Sequence, residues 1–94
     1  MIIGACEVRL RIMGARSLKE KRKTLKSMKD RVSKMNISVA EVDDQDKWQA
    51  ATLGFALVSN DSSYVNSVLD RIFSFLSEFP DVEVIDRKME IMHI

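Results

Sequence analysis

A chain of 94 residues with 46% hydrophobic and 31% charged residues, one proline and three glycines has the make-up of one ordered globular domain, because a single core typically organises roughly 100 to 150 residues. Its single cysteine, Cys6, excludes an internal disulfide and a multi-cysteine metal centre; the first residues lack a basic segment followed by an apolar run, no stretch nears the ~20 apolar residues of a membrane span, and a reducing, cytoplasmic setting is expected. The net charge of +1 hides a separation, since residues 16 to 35 hold nine basic and two acidic side chains while the rest of the chain holds six basic and twelve acidic.

Residues 2 to 13 alternate, with Gly4, Cys6, Val8, Leu10 and Ile12 on one face and Ala5, Glu7, Arg9 and Arg11 on the other, the pattern of a half-buried strand. Gly14-Ala-Arg turns into Ser17-Leu-Lys-Glu20, whose spacing lets the serine hydroxyl accept from the Glu20 amide while the glutamate reaches back to serine's own amide. A first helix begins there, with Leu18, Leu25, Met28, Val32 and Met35 on one stripe, and ends near Asn36. Ile37 to Asp43 and Gln49 to Ser59 read as the two strands of a hairpin, joined by the polar connection Asp43 to Trp48. Ser59-Asn-Asp supplies capping candidates for a second helix with Val65, Val68, Leu69, Ile72, Phe75, Leu76 and Phe79 on one face, stopped by Pro80. Val82 to Ile94 is a last strand whose apolar parity changes, which a bulge near Asp86 to Lys88 reconciles.

The order βαββαβ predicts a ferredoxin-like α+β domain spanning residues 1–94, with two helices on one face of a four-stranded antiparallel sheet and the first and third strands central. At this size an added interface would help stability, so a homodimer is a natural expectation.

Enzyme templates find little purchase. The only histidine is His93, no relay of Ser/His/Asp or Cys/His spacing occurs, and neither nucleotide-phosphate glycine motif is present. No catalytic residue, metal ligand set or cofactor is therefore assigned. The run Glu41-Val-Asp-Asp-Gln-Asp46 lacks the ligand alternation and glycine of a calcium loop and reads as a solvated hairpin tip.

The basic first helix is the more informative element. Lys19, Lys21, Arg22 and Lys23 crowd its first two turns, where the macrodipole disfavours cations, and with Arg16, Ser17 and Lys26 they make a candidate anion or RNA-backbone site. Arg9 and Arg11 on the presumed open sheet face extend it. Lys21 stands apart, because at 100° per residue it falls inside the apolar stripe and is expected to snorkel from under the sheet edge. Solvated cations partly balanced by Asp30 are the plainer reading of the same helix.

Leu53-Gly-Phe-Ala-Leu-Val58 echoes the core of RNA-recognition strands, which share this element order. On that echo Phe55 would stack alone; Leu53, Phe55 and Leu57 on an uncovered sheet face fit an apolar dimer interface at least as well, or else simply face the core. Gln45, Asp46, Trp48 and Gln49 are hairpin recognition candidates, although anchoring the hairpin is the ordinary role of a lone tryptophan. Cys6 reads as a small core residue.

Ser17-Leu-Lys-Glu-Lys-Arg22, Ser38-Val-Ala-Glu-Val42, Gln45-Asp46, Trp48-Gln49 and Phe79-Pro80 together resemble the YlxP-like family of uncharacterised bacterial proteins. The resemblance implies a ferredoxin-like fold and a cytoplasmic bacterial protein, often encoded beside translation-initiation and ribosome-maturation genes. Family members often carry histidine where this chain has Asp44, so no histidine-dependent role at the hairpin is implied. Charge placement and resemblance together lead to the expectation of a non-catalytic protein that binds RNA or ribosomal particles. A homodimeric assembly module is the alternative, and a small phosphatase, suggested only by Arg16 before a helix, the weaker one.

Overall fold

Alternation along the first segment builds β1 (Ile2–Ile12), whose inward residues from Gly4 to Ile12 are buried while Glu7, Arg9 and Arg11 are exposed. The computed structural model describes all 94 residues. After β1 come α1 (Leu18–Ser33), β2 (Ser38–Asp43), β3 (Ala50–Ser59), α2 (Ser62–Glu78) and β4 (Val82–His93). The sheet order is β2-β3-β1-β4 with every pairing antiparallel, so β1 and β3 are central as expected. This is the ferredoxin-like arrangement, and the helix-covered face encloses a core of 20 buried residues.

Capping explains where the helices start. Ser17 stands in extended conformation before α1 and its hydroxyl accepts from the Glu20 amide at 3.2 Å, while Asp61 accepts from the amides of Ser63 and Tyr64 to open α2. Helix α1 stops at Ser33, with Asn36 in the left-handed region (φ 62°) just beyond, a conformation that asparagine tolerates. Pro80 lies past the end of α2, and Asp81 (φ 60°) completes the turn into β4. Gly4 lets α2 approach β1, since a Cβ there would collide with the Val65 side chain.

Two bulges set the registers. Arg9 faces Asp86 but Leu10 faces Val84, which makes Ile85 the extra residue, one position before the predicted range. This returns Met89 and Ile91 to the side of Val82 and Val84. A second bulge was not legible in the sequence: Glu41 faces Leu53 and Asp43 faces Thr52, so Val42 is extra and lies over Gly54, where a Cβ would come 3.0 Å from a Val42 methyl.

That register also decides the face of β3. Leu53, Phe55 and Leu57 are buried in the helix-covered core, whereas Thr52, Gly54, Ala56 and Val58 share the uncovered face with Glu7, Ala5 and Ile3. The dimer interface assigned to Leu53, Phe55 and Leu57, with stacking by Phe55, is thereby corrected, and the core-facing alternative holds. In this register the two helices cover the parity that holds the larger apolar side chains, which leaves the small ones outside.

Candidate functional site

The start of α1 is a modified capping box. Glu20 reaches back past Ser17, and its Oε2 accepts from the Arg16 amide at 2.6 Å. The Glu20 carboxylate thus satisfies the Arg16 amide just before the cap, while the Ser17 hydroxyl satisfies the Glu20 amide inside the helix. Arg16 remains exposed in the preceding turn.

Lys21 departs furthest from its predicted role. It is 1% exposed, and its Nζ donates to the backbone carbonyls of Asp44 at 2.6 Å and Lys47 at 2.7 Å. The Glu41 carboxylate lies 3.0 Å away as an ionic contact without hydrogen-bond alignment. A buried ammonium needs such partners because its desolvation is costly. Lys21 is thus the bolt between α1 and the β2–β3 connection, and its inclusion among the phosphate-binding cations is corrected.

The remaining cations of the helix stay outside. Lys19, Arg22, Lys23 and Lys26 are exposed, and of these only Lys26 meets a carboxylate, Asp30 at 3.3 Å. Arg31 holds its guanidinium 5.6 Å from the Phe79 ring centre, which marks the α2 side of α1. Helical spacing places Lys29, Arg22, Lys26, Lys19 and Lys23 on an arc of roughly 120° running from solvent toward the opposite, β2 side.

The hairpin connection is ordered by hydrogen bonds rather than by its aromatic. Asp44, at φ 64° and only 8% exposed, accepts from Thr52 Oγ1 at 2.7 Å, with Lys47 Nζ at 3.0 Å and Arg9 Nε at 3.5 Å from its carboxylate. The Thr52 and Lys47 hydrogen bonds, aided by the Lys47 and Arg9 charges, hold its carboxyl below the usual aspartate range. The expected solvated tip is corrected at this residue, since Asp44 turns its carboxylate back onto Thr52 of β3 and Arg9 of β1.

Gln49 donates to the Ala15 carbonyl at 3.1 Å and its own carbonyl accepts from the Ile12 amide at 2.9 Å, while Gln45 reaches the Glu41 carbonyl at 3.3 Å. Asp46 is exposed. Trp48 is 55% exposed, so Lys21 and Gln49 do the anchoring expected of the indole.

The uncovered sheet face carries two adjoining features. At one end is a polar depression of about 350 Å³, where Arg9, Lys47, Arg87 and Lys88 meet Glu7, Asp43, Asp44 and Asp86 in equal number. Arg9 is already committed to Asp44, and Arg87 lies with its guanidinium 4.6 Å from the Phe73 ring centre. Arg11 is exposed farther along β1. Alongside is a shallow trough of about 620 Å³ floored by Ala5, Gly54, Ala56 and Ala40. With Arg87 turned to Phe73 on the helix-covered side, carboxylates outnumber cations in the depression, which gives this face no pull on a polyanion. Cys6 lies on the core side, and burial pushes its thiol pKa up to about 11, away from nucleophilic use. No helix is long and apolar enough to cross a membrane.

The comparisons with known proteins agree with this architecture. The pattern of the family described as "Protein of unknown function (DUF503)" matches residues 3–89. "Uncharacterized protein YlxP" of Bacillus subtilis (strain 168) is 40% identical over 83 residues, which cover 87% of this chain and 90% of that protein. Among solved structures, the chain is similar to the de novo designed protein Foldit4, with TM-score 0.57 at 10% identity over 98% of both chains. It is also similar to the designed Ferredog-Diesel, with TM-score 0.54 at 11% identity over 97% of this chain and 84% of that one. A designed protein with ferredoxin fold, LFR1 1, gives TM-score 0.54 at 14% identity over 98% of this chain and 84% of that one. At such identities the likeness carries the fold alone. The matched segment and the bacterial relative together place the chain in the DUF503 family, to which it belongs.

Proposed function

We propose that this protein binds RNA through the phosphate backbone, free or within ribosomal particles, without catalysing a reaction. The observation that supports this reading is the cationic arc of α1. Lys19, Arg22, Lys23 and Lys29 have no carboxylate within ion-pair distance, although the rest of the chain is acidic in balance. Cations that served only the helix would be paired along it or placed toward its C-terminal end. Unpaired and aligned, they suit a ligand with regularly spaced negative charge. Lys21 is not part of this surface.

Affinity for ribosomal RNA or ribosomal particles, measured by anisotropy across a salt series, tests the reading. Replacing Lys19, Arg22, Lys23 and Lys26 with Gln should lower the slope of log K against log salt by about 3 to 4, the yield of four lost phosphate contacts. Binding that is absent, or independent of salt, refutes it.

The uncovered sheet face favours a second reading, an assembly module that meets a copy of itself. Val58, Met92 and Val42 are exposed there beside the small-residue trough. Sedimentation at micromolar concentration decides this reading. Ala56→Arg would place a charge on the open face and should split such a dimer without unfolding the chain, whereas a monomeric wild type refutes it.

A further inference from the structure

Resting on the backbone-binding reading above, we infer that Trp48 is a stacking platform for an unpaired base, so that the RNA bound along α1 is single-stranded where it passes the β2–β3 connection. The only tryptophan of the chain is 55% exposed, yet the backbone that carries it is held on both sides. Before it, the Lys47 carbonyl accepts from Lys21 Nζ at 2.7 Å and the Lys47 amide donates to the Asp44 carbonyl at 3.1 Å. After it, the Gln49 carbonyl accepts from the Ile12 amide at 2.9 Å and the Gln49 side chain reaches Ala15 at 3.1 Å. The loop is therefore ordered without using the indole, and an aromatic presented from ordered backbone loses little freedom on binding.

The local charges divide the work. Lys21 ties this loop to the first two turns of α1, where Lys19, Arg22 and Lys23 are exposed. Phosphates are drawn to that helix. The loop is acidic in balance, since Asp43, Asp44 and the exposed Asp46 stand against Lys47, whose ammonium is held 3.0 Å from Asp44, so a phosphate is disfavoured beside it and an uncharged base is not. A base within a duplex is covered on both faces by its neighbours, whereas an unpaired base offers a free π-face to an indole. Helix cations and indole together thus fit a single strand better than a double helix or a polyanion that lacks bases.

The test uses the intact chain, whose fluorescence comes chiefly from Trp48, and three probes: a single-stranded oligoribonucleotide of about twelve nucleotides, the same strand paired with its complement, and inorganic polyphosphate. The single strand should quench the indole, while polyphosphate binds without quenching. Trp48→Ala should weaken the single strand about 5- to 150-fold, the range that one base–aromatic stack supplies, and leave polyphosphate unchanged. Trp48→Phe should recover most of the loss. Single-strand binding with no quenching and an unaltered Trp48→Ala affinity overturns the inference and leaves backbone binding standing. A duplex that binds and quenches as well as the single strand overturns it too. Failure of all three probes to bind overturns both, as would capture of a protein through Trp48 in the absence of RNA affinity.

Discussion

Lys21→Met keeps most of the buried stem of the side chain and removes only the ammonium, so it isolates the bolt between α1 and the hairpin connection. The change leaves the Asp44 and Lys47 carbonyls without the donor now 2.6 and 2.7 Å away, and it strands the Glu41 carboxylate 3.0 Å from where the charge was. Hydrogen bonds to a charged group contribute about 1.5 to 3 kcal/mol each, and breaking a buried pair by removing one partner costs about 3 to 5 kcal/mol. The Lys47 carbonyl and Glu41 keep some access to water, so a net loss of about 2 to 4 kcal/mol is expected. For a chain of this size that lowers Tm by about 10 to 20 °C, readable by circular dichroism on heating or in urea. Glu41→Gln supplies the internal control. In the wild type it removes a partner and destabilises, whereas in the Lys21→Met background it relieves an unpaired carboxylate and should stabilise, giving a coupling of about 1 kcal/mol or more. A loss below about 1 kcal/mol, or additive effects of the two substitutions, would refute the assignment of Lys21 as the bolt.

Asp44 predicts a particular acid response. Its folded pKa lies below the unfolded value, so its contribution is present above the ordinary aspartate range, near pH 3.9, and is lost as pH falls through the depressed folded value. Asp44→Asn tolerates the same left-handed backbone but has no charge to lose; the urea-midpoint gap between the two proteins should close on acidification, and a gap independent of pH would refute the role of the charge. Gly4→Ala should cost about 1 to 3 kcal/mol by overpacking β1 against Val65 of α2. Urea unfolding measures it, and a neutral result would show that α2 can withdraw from β1 at no cost.

Local periodicity carried most of the architecture. The alternation from Gly4 to Ile12, the stripe Leu25, Met28 and Val32, and the parity change in the last strand are properties of neighbouring residues, so each could be read without knowing what it packs against. The same reading put Lys21 on the apolar stripe of α1. Its partners were out of reach, because the carbonyls it binds lie 23 and 26 residues away and belong to a connection whose shape depends on the bulge at Val42. Asp44 looked like one more solvated carboxylate for the same reason. Thr52 and Arg9 reach it only after β2, β3 and β1 have paired.

Phe55 and Trp48 show the remaining division. A period of two assigns Leu53, Phe55 and Leu57 to a common face but does not say which face the helices cover, and the crossovers placed that row inside. For Trp48, the ordinary role of a lone indole is to anchor its hairpin, yet Lys21 and Gln49 secure the loop and leave the indole outside. The sequence by itself determined the βαββαβ order, which residues share a face of each helix and strand, and the concentration of cations on α1. Only the tertiary structure decided which cation is a bolt, which carboxylate is buried and which aromatic faces solvent, because those depend on contacts between segments that no local spacing encodes.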